Sequence, residues 1–241
     1  MVSKSEIKLI TSLHQKKYRM KHGLFMAEGV KVVEELLRSD FKLYKIYATE
    51  ENLMEVDSSK VTTVSEGILK KMSSLKTPST VLAVFYIKPP KKVAESKLVL
   101  ALDDIRDPGN LGTIIRLCDW FGINSLVCSN NTVDCYNPKV VQATMGSLTR
   151  VNIVYTDLKA FLVDSTLPKY AATKDGSDVY SSTLPKEAIL VMGNEANGLS
   201  EEILSVIKNT VSIPRFGAIQ ATESLNVATA TAILLSEFKR R

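Results

Sequence analysis

Ile189-Leu190-Val191-Met192-Gly193-Asn194-Glu195-Ala196-Asn197-Gly198-Leu199-Ser200 is the stretch on which the fold turns. Four consecutive apolar residues without polar alternation describe a strand covered on both faces, and the polar, glycine-bearing turn after them leads into a helix capped at Ser200. Working outward, Leu98 to Leu102, Ser125 to Cys128, Val151 to Val154, Tyr170 to Ala172 and Val211 to Ile213 are short runs of the same kind. Helical spacing lies between them, over Leu111 to Phe121, Pro138 to Met145, Leu158 to Val163 and Ser200 to Lys208, with Asn137 as a second cap. Strands alternating with helices predict an α/β domain, a parallel sheet with helices on both faces. A last apolar helix, from about Glu223 to Phe238, is expected to pack on that sheet.

Upstream, Lys88-Pro89-Pro90-Lys91-Lys92 interrupts the pattern. Consecutive prolines remove backbone donors and favour extended backbone, and the lysines keep the segment wet. A linker over 88–92 therefore separates an amino-terminal domain, 1–92, from a domain spanning 93–241. In the first, Ser5 to Leu13 and Gly29 to Leu37 have helical spacing, while Leu43 to Ala48, Val61 to Val64 and Val81 to Ile87 predict strands of a small α/β domain.

The 241 residues, 45% hydrophobic and 24% charged, supply a core for each half and exclude a disordered or fibrous chain. No apolar run reaches the roughly 20 residues of a spanning helix, and Met1 to Ile10 lacks an apolar leader, so an unexported, soluble, cytoplasmic protein is expected. Cys118, Cys128 and Cys135 form no CxxC pair and only His14 and His22 accompany them, so no structural metal site is expected. Charge is divided unevenly. Residues 1–96 carry 17 Lys and Arg against 11 Asp and Glu, a net of +6, whereas 97–241 carry 14 against 15, a net of −1. A positive domain beside a nearly neutral one suits a polyanion partner for the first, although a solvated lysine surface produces the same count.

In a parallel α/β sheet the working groups gather on loops beyond the carboxyl ends of the strands. Three such segments are polar and contain glycine. Asp103-Asp104-Ile105-Arg106-Asp107-Pro108-Gly109-Asn110-Leu111-Gly112-Thr113 runs into a helix that Asn110 is placed to cap and that bears Arg116 among Ile114, Ile115, Leu117 and Cys118. A charge in such apolar company needs a partner or a substrate. Gly193 to Leu199 matches neither GxGxxG nor a phosphate-binding GxxxxGK[ST], so its glycines point to close backbone approach, with Glu195 as the fixed charge. Ile213-Pro214-Arg215-Phe216-Gly217 leads through Thr222 and Ser224, either of which serves as a helix cap, to Glu223, Ser224 and Asn226 at the entrance of the last helix. Ordinary turn chemistry explains Pro108-Gly109-Asn110, the second turn and either cap hydroxyl taken alone, but not Arg116 in its apolar company or the crowding of Glu223, Ser224 and Asn226 at the entrance of an otherwise apolar helix.

Together the three segments resemble the signature of the SpoU-TrmH branch of the SPOUT RNA methyltransferases. Asn110, Leu111, Gly112, Arg116, Phe121 and Gly122 are similar to its first motif, and Gly193-Asn194-Glu195 with Gly198, Leu199 and Ser200 to its second. Ile213-Pro214 with Gly217 and Ser224-Leu225-Asn226-Val227-Ala228 resembles the third. The front of the chain, with Ile7, Lys8, Leu13, Lys17, Arg19, Phe25, Glu28 and Gly29, is similar to the family's RNA-binding module. The third segment departs from the pattern in carrying Arg215-Phe216 and a longer stretch over 218–223. Arg215 is offered there as a phosphate contact at the site mouth.

The resemblance implies transfer of methyl from S-adenosylmethionine to a ribose 2′-hydroxyl of ribosomal or transfer RNA, by a homodimer joined through a carboxyl-terminal domain tied in a deep trefoil knot. Carried over, the catalytic group is Arg116, Asn110, Glu195, Ser224 and Asn226. The cofactor would lie against Thr173, Met192, Gly193, Asn194, Glu195, Gly198, Ile213, Pro214, Gly217, Leu225 and Asn226. Arg116, whose guanidinium is too basic to accept a proton near neutral pH, is expected to fix an RNA phosphate and polarise the hydroxyl. Lys8, Lys16, Lys17, Arg19 and Lys21, with Tyr18 among them, are expected to hold RNA, while Phe25 belongs to a core. Residues 97–241 alone are expected to bind cofactor and dimerise but to lose most of their hold on RNA. The other readings are a non-catalytic RNA- or ribosome-binding module and a knotted enzyme that methylates a base nitrogen. No membrane and no metal enter any of them.

Overall fold

The computed structural model describes residues 2–50, 56–94, 97–217, 219 and 224–240. Contacts divide the chain into one unit of Met1–Pro89 with Asp134–Thr149, and another of Pro90–Val133 with Arg150–Arg241. The boundary at Pro89–Pro90 falls inside the expected linker. Residues 134–149, read from sequence as part of the second domain, instead belong to the first unit.

In the first unit, strands β1 (Leu24–Glu28), β2 (Leu43–Ala48), β3 (Val61–Thr63) and β4 (Val81–Tyr86) form a sheet ordered β1-β4-β2-β3. Its only parallel pair is β2 with β3; β4 runs antiparallel to both its neighbours. Helix α1 (Lys4–Ser12) is started by Ser3, whose Oγ accepts the Glu6 amide while the Glu6 carboxylate accepts the Ser3 amide. Helix α3 (Val30–Leu37) sets Val32, Val33 and Leu36 into the core. Helix α2 (Lys16–His22) and α4 (Glu66–Met72) escaped the sequence reading, as did β1. In α2 the residues Lys-Lys-Tyr-Arg-Met-Lys-His carry no apolar stripe, so periodicity is silent.

What binds 134–149 to this unit is chemistry invisible at short range. Arg19 is 2% exposed and donates from Nε and Nη2 to the Asp134 carboxylate, at 2.9 and 2.5 Å, and from Nη1 to the carbonyls of Leu13 and His14. Its expected place on an RNA-facing surface is thereby corrected, because a guanidinium 2% exposed, with four of its five N–H donors already engaged, is out of reach of a phosphate. Tyr136 packs on Phe25 with ring centroids 4.6 Å apart, and α6 (Pro138–Thr144) lies on β1. Phe25 is fully buried, as its apolar neighbours predicted.

In the second unit, β5 (Val99–Leu102), β6 (Ser125–Ser129), β7 (Asn152–Thr156), β8 (Lys169–Asp178), β9 (Ile189–Met192) and β10 (Asn209–Ser212) form a sheet ordered β10-β8-β9-β5-β6-β7. Every neighbouring pair is parallel. Val99, Ala101, Val127, Ile189 and Val191 pack against Leu158 and Leu162 of α7 (Leu158–Asp164) and Ile203 of α8 (Glu201–Leu204). The alternate residues Leu100, Leu126 and Leu190 point to the opposite face and are equally buried. Helix α5 (Pro108–Trp120) packs against α9 (Val227–Arg240).

Several boundaries shift. Strand β8 continues to Asp178, α8 is one turn rather than reaching Lys208, and α9 begins at Val227 rather than Glu223. Thr222 and Glu223 lie outside the described residues. Among the described residues no helix is long and apolar enough to cross a membrane.

Candidate active site

The carboxyl ends of β5 and β9 lie side by side, with Leu102 opposite Met192, so the loops after them open at one edge of the sheet. The loop after β5 enters α5 with Pro108 in its first turn, and the cap is Asp107, whose Oδ1 accepts the Asn110 amide at 2.8 Å. Asn110 was expected to cap this helix; with Asp107 doing so, its side chain is released to the site. It donates from Nδ2 to Glu195 Oε1 and accepts at Oδ1 from Asn226 Nδ2 at 2.9 Å. Three side chains, 85 and 116 residues from one another in sequence about Asn110, are thus joined in one chain of hydrogen bonds.

Asn226 does two jobs. Its Oδ1 accepts the amides of Ala228 and Thr229 at 3.0 and 3.3 Å, which makes it the cap of α9 and corrects the expectation that Thr222 or Ser224 serves there. Its amide group remains to hold Asn110. Ser224 is exposed on the approach to the helix.

The loop after β9 is closed on itself. Asn194 and Gly198 exchange backbone hydrogen bonds of 2.9 and 2.8 Å, and Asn194 Nδ2 reaches the Asp104 carbonyl at 2.7 Å. A Cβ on Gly193 would lie 2.3 Å from the Gly198 carbonyl carbon, so only glycine permits this approach; Gly198 takes φ +69, where glycine is unstrained. Ser200 stands at the start of α8 but does not cap it with its side chain. Its amide and hydroxyl both donate to Asp103 Oδ2, at 2.9 and 2.8 Å. Asp103 thereby ties the second loop to the end of β5. No role for Asp103 was expected from sequence, although a doubled aspartate directly after a buried strand marks a loop rich in acceptors.

Beside this network opens a cavity of about 920 Å³. Thr173, Met192, Gly193, Asn194, Glu195, Gly198, Ile213, Pro214, Gly217 and Leu225, all expected near a cofactor, line it, and so does Ser224. Leu199, Val211, Val227 and Leu234 give its wall an apolar character, while Lys174, Asp175, Glu195 and Arg215 bring both signs of charge. Asn226, expected in the same set, is not among the lining residues, and neither is Asn110; of the three hydrogen-bonded side chains Glu195 is the one that lines the cavity.

Arg116 corrects another expectation. It is exposed on α5, on the outer stripe formed by Gly109, Thr113, Arg116 and Trp120, while Leu111, Ile114, Ile115 and Cys118 face inward. Among the described residues nothing pairs with its guanidinium, which stays hydrated and available. Lys8, Lys16, Lys17 and Lys21 are exposed on the first unit, with the Lys17 ammonium 5.9 Å from the Tyr18 ring centroid. Burial drives the Cys118 thiol far above the ordinary thiol range, and the Asp119 charge adds to it, so the one cysteine in this helix is not a nucleophile.

A model of the SpoU rRNA Methylase family matches residues 97–236, and one of the MRM3-like substrate binding domain matches residues 4–83. The chain is 30% identical over 230 residues to the 23S rRNA (guanosine(2553)-2′-O)-methyltransferase RlmP of Bacillus subtilis, spanning 92% of this chain and 91% of that protein. Among solved structures it is similar to a TrmH-family protein from Porphyromonas gingivalis, with 37% identity, TM-score 0.90, and 100% and 99% of the two chains covered. It is also similar to an AdoMet-bound rRNA methyltransferase from Sinorhizobium meliloti, at 31% identity, TM-score 0.87, and coverage of 100% and 97%.

Proposed function

This chain belongs to the SpoU rRNA methylase family and is an S-adenosylmethionine-dependent rRNA 2′-O-methyltransferase, and we propose that its cofactor lies in the cavity lined by Met192 to Gly198, Ile213, Pro214 and Gly217. The observation that carries this reading is the Glu195–Asn110–Asn226 chain at the edge of that cavity, made of residues from all three motifs. The cavity's chemistry fits the group: apolar Leu199, Val211 and Ile213 suit an adenine ring, and Glu195 and Asp175 suit a ligand carrying an ammonium and a sulfonium. Lys174 suits its carboxylate. When bound, S-adenosylmethionine supplies an electrophilic methyl group.

The residues of this chain supply placement. Glu195 and Asn226 fix the Asn110 amide plane from either end, so its second N–H is aimed rather than free to rotate, and with Ser224 it orients the ribose or Arg116. Arg116, hydrated and exposed, binds an RNA phosphate and polarises the 2′-hydroxyl. It does not accept the proton, since a guanidinium stays charged near neutral pH. The +6 charge of residues 1–96, with Lys8, Lys16, Lys17 and Lys21 exposed, supplies affinity for the RNA backbone.

Two broader features belong to the same reading. A trefoil knot in the carboxyl-terminal chain is supported by β10 lying at the sheet edge beyond β8 while the helix that follows it packs on α5, and by 192–199, 213–217 and 224–225 crowding one cavity. A homodimer through the second unit is supported by Trp120, which stands 84% exposed on the stripe that holds Arg116. Among the described residues Cys118, Cys128 and Cys135 are buried and outside any disulfide, which suits a reducing cytoplasm.

The test is methyl transfer from labelled S-adenosylmethionine to ribosomal RNA from cells lacking this gene, with the product nucleotide identified by mass spectrometry. A ribose-methylated nucleotide is expected. A methylated base would support the base-nitrogen reading instead, and cofactor binding without transfer to any RNA would overturn the enzymatic one.

A further inference from the structure

We propose that Phe216 and Tyr180 form a stacking platform for a base of the RNA being methylated, at the mouth of the cavity; the proposal rests on the rRNA methyltransferase reading above. Phe25, Phe85 and Phe238 are buried, whereas Phe216 is 83% exposed and lines the same cavity as Glu195. Tyr180 is 40% exposed, and the two ring centroids are 6.4 Å apart at an interplanar angle of 31°. That spacing is near the far end of the roughly 4.5–7 Å range of direct ring contact, so each ring covers little of the other and both keep surface for a guest.

The platform is anchored on its tyrosine side, where Asp178 Oδ1 accepts the Tyr180 amide at 2.8 Å at the end of β8. Arg215, exposed beside Phe216, brings a cation to the same rim. Flat open rings with an adjacent guanidinium suit an unstacked nucleobase with its phosphate, the way single-stranded RNA is held. The cofactor's adenine is the weaker candidate, because Leu199, Val211 and Leu234 give it a wall within the cavity, where water is excluded more fully than at a ring 83% exposed. Placed here, the base would hold its own ribose near the edge where Asn110 and Glu195 meet.

The test compares Phe216→Ala and Phe216→Trp with the unsubstituted full-length protein, in three measurements. For Phe216→Ala, KM for ribosomal RNA from cells lacking the gene should rise about tenfold or more while kcat at saturating RNA stays within about twofold. Phe216→Trp should restore KM. A short oligoribonucleotide containing 2-aminopurine should lose fluorescence on binding the unsubstituted and Trp proteins but not the Ala protein. Calorimetry with S-adenosylmethionine should give the same Kd for all three. A weakened cofactor Kd in Phe216→Ala would assign the ring to the cofactor wall, and a shift toward monomer in sedimentation would assign it to an interface between copies; either overturns the platform, as does an unchanged KM. Quenching that depends on Phe216 in a protein that methylates no ribosomal RNA would leave the platform standing and sink the reaction.

Discussion

Arg19 in the first unit and Arg116 in the second carry the same guanidinium and meet opposite fates. Arg19 is 2% exposed, engaged by one carboxylate and two carbonyls, and holds 134–149 to the first unit. Arg116 is exposed on α5, and among the described residues nothing pairs with it. Removing a guanidinium from water requires a nearly full set of acceptors, and once these are supplied the group is spent on holding the fold. A guanidinium left hydrated adds little to stability and keeps its donors for phosphate. The difference separates an arginine that holds the fold together from one left at the surface, where the phosphate contact we propose would find it.

The sharpest way to break this comparison is Arg19→Ala, which strands the Asp134 carboxylate in a buried site. It should cost about 3–5 kcal/mol of unfolding free energy in urea titrations. Pairing Arg19→Met with Asp134→Leu should recover most of that loss, since neither charge is then buried alone. The same staple alters the expectation for residues 97–241 alone. Such a fragment keeps Asp134, Val140, Val141 and Leu148 but loses the unit that buries them, so its thermal melt should fall well below that of the full chain. Arg116→Ala should do the reverse of Arg19→Ala. Its unfolding free energy should stay within about 0.5 kcal/mol of the unsubstituted protein and its cofactor Kd should be unchanged, while methylation falls by about a hundredfold or more. A fully active Arg116→Ala would end its assignment.

Smaller effects follow at the surface. Lys17→Gln and Lys21→Gln should each weaken RNA binding regardless of sequence and reduce the slope of log K against log salt by about one, measured by fluorescence anisotropy across salt concentrations. A slope that does not move would remove α2 from the RNA-facing surface. The smallest effect concerns Glu6, whose hydrogen bond from Lys45 at 2.7 Å, together with the Ser3 amide, holds its carboxyl down from 4.5 to about 2. A depressed carboxylate stabilises the fold fully above its unfolded value, and that contribution drains away as pH falls from about 4.5 to about 2. Glu6→Gln should therefore lower stability near pH 7 and flatten its decline across that acid window, as read from urea midpoints at several pH values.

Legibility differed between the two units for the same reason that their arginines differ. The strands β5 and β9 are apolar throughout because both their faces are covered, and so they are visible as unbroken runs. The caps Asn137 and Ser3 are local chemistry; the first was anticipated, while Ser3 lay two residues before the expected start of α1. In the first unit, β1 is entirely buried although it is an edge strand, because α6 covers it from 110 residues or more away in sequence. At the site, ten of the eleven residues expected beside the cofactor line the cavity, all but Asn226, yet the cap of α5 was expected on Asn110 and the cap of α9 on Thr222 or Ser224. Asp107 and Asn226 take those roles, and this leaves the Asn110 side chain able to bridge Glu195 and Asn226.

By itself the sequence determined the parallel α/β class, the break in pattern at Pro89-Pro90, the charge asymmetry and the three polar segments, since each is read from composition or from residues close in sequence. Only the tertiary structure decided the strand order β10-β8-β9-β5-β6-β7, the allegiance of 134–149 and which arginine is buried. Those outcomes depend on desolvation, and whether a charge is desolvated is settled by partners such as Asp134, 115 residues from Arg19, that no local pattern announces.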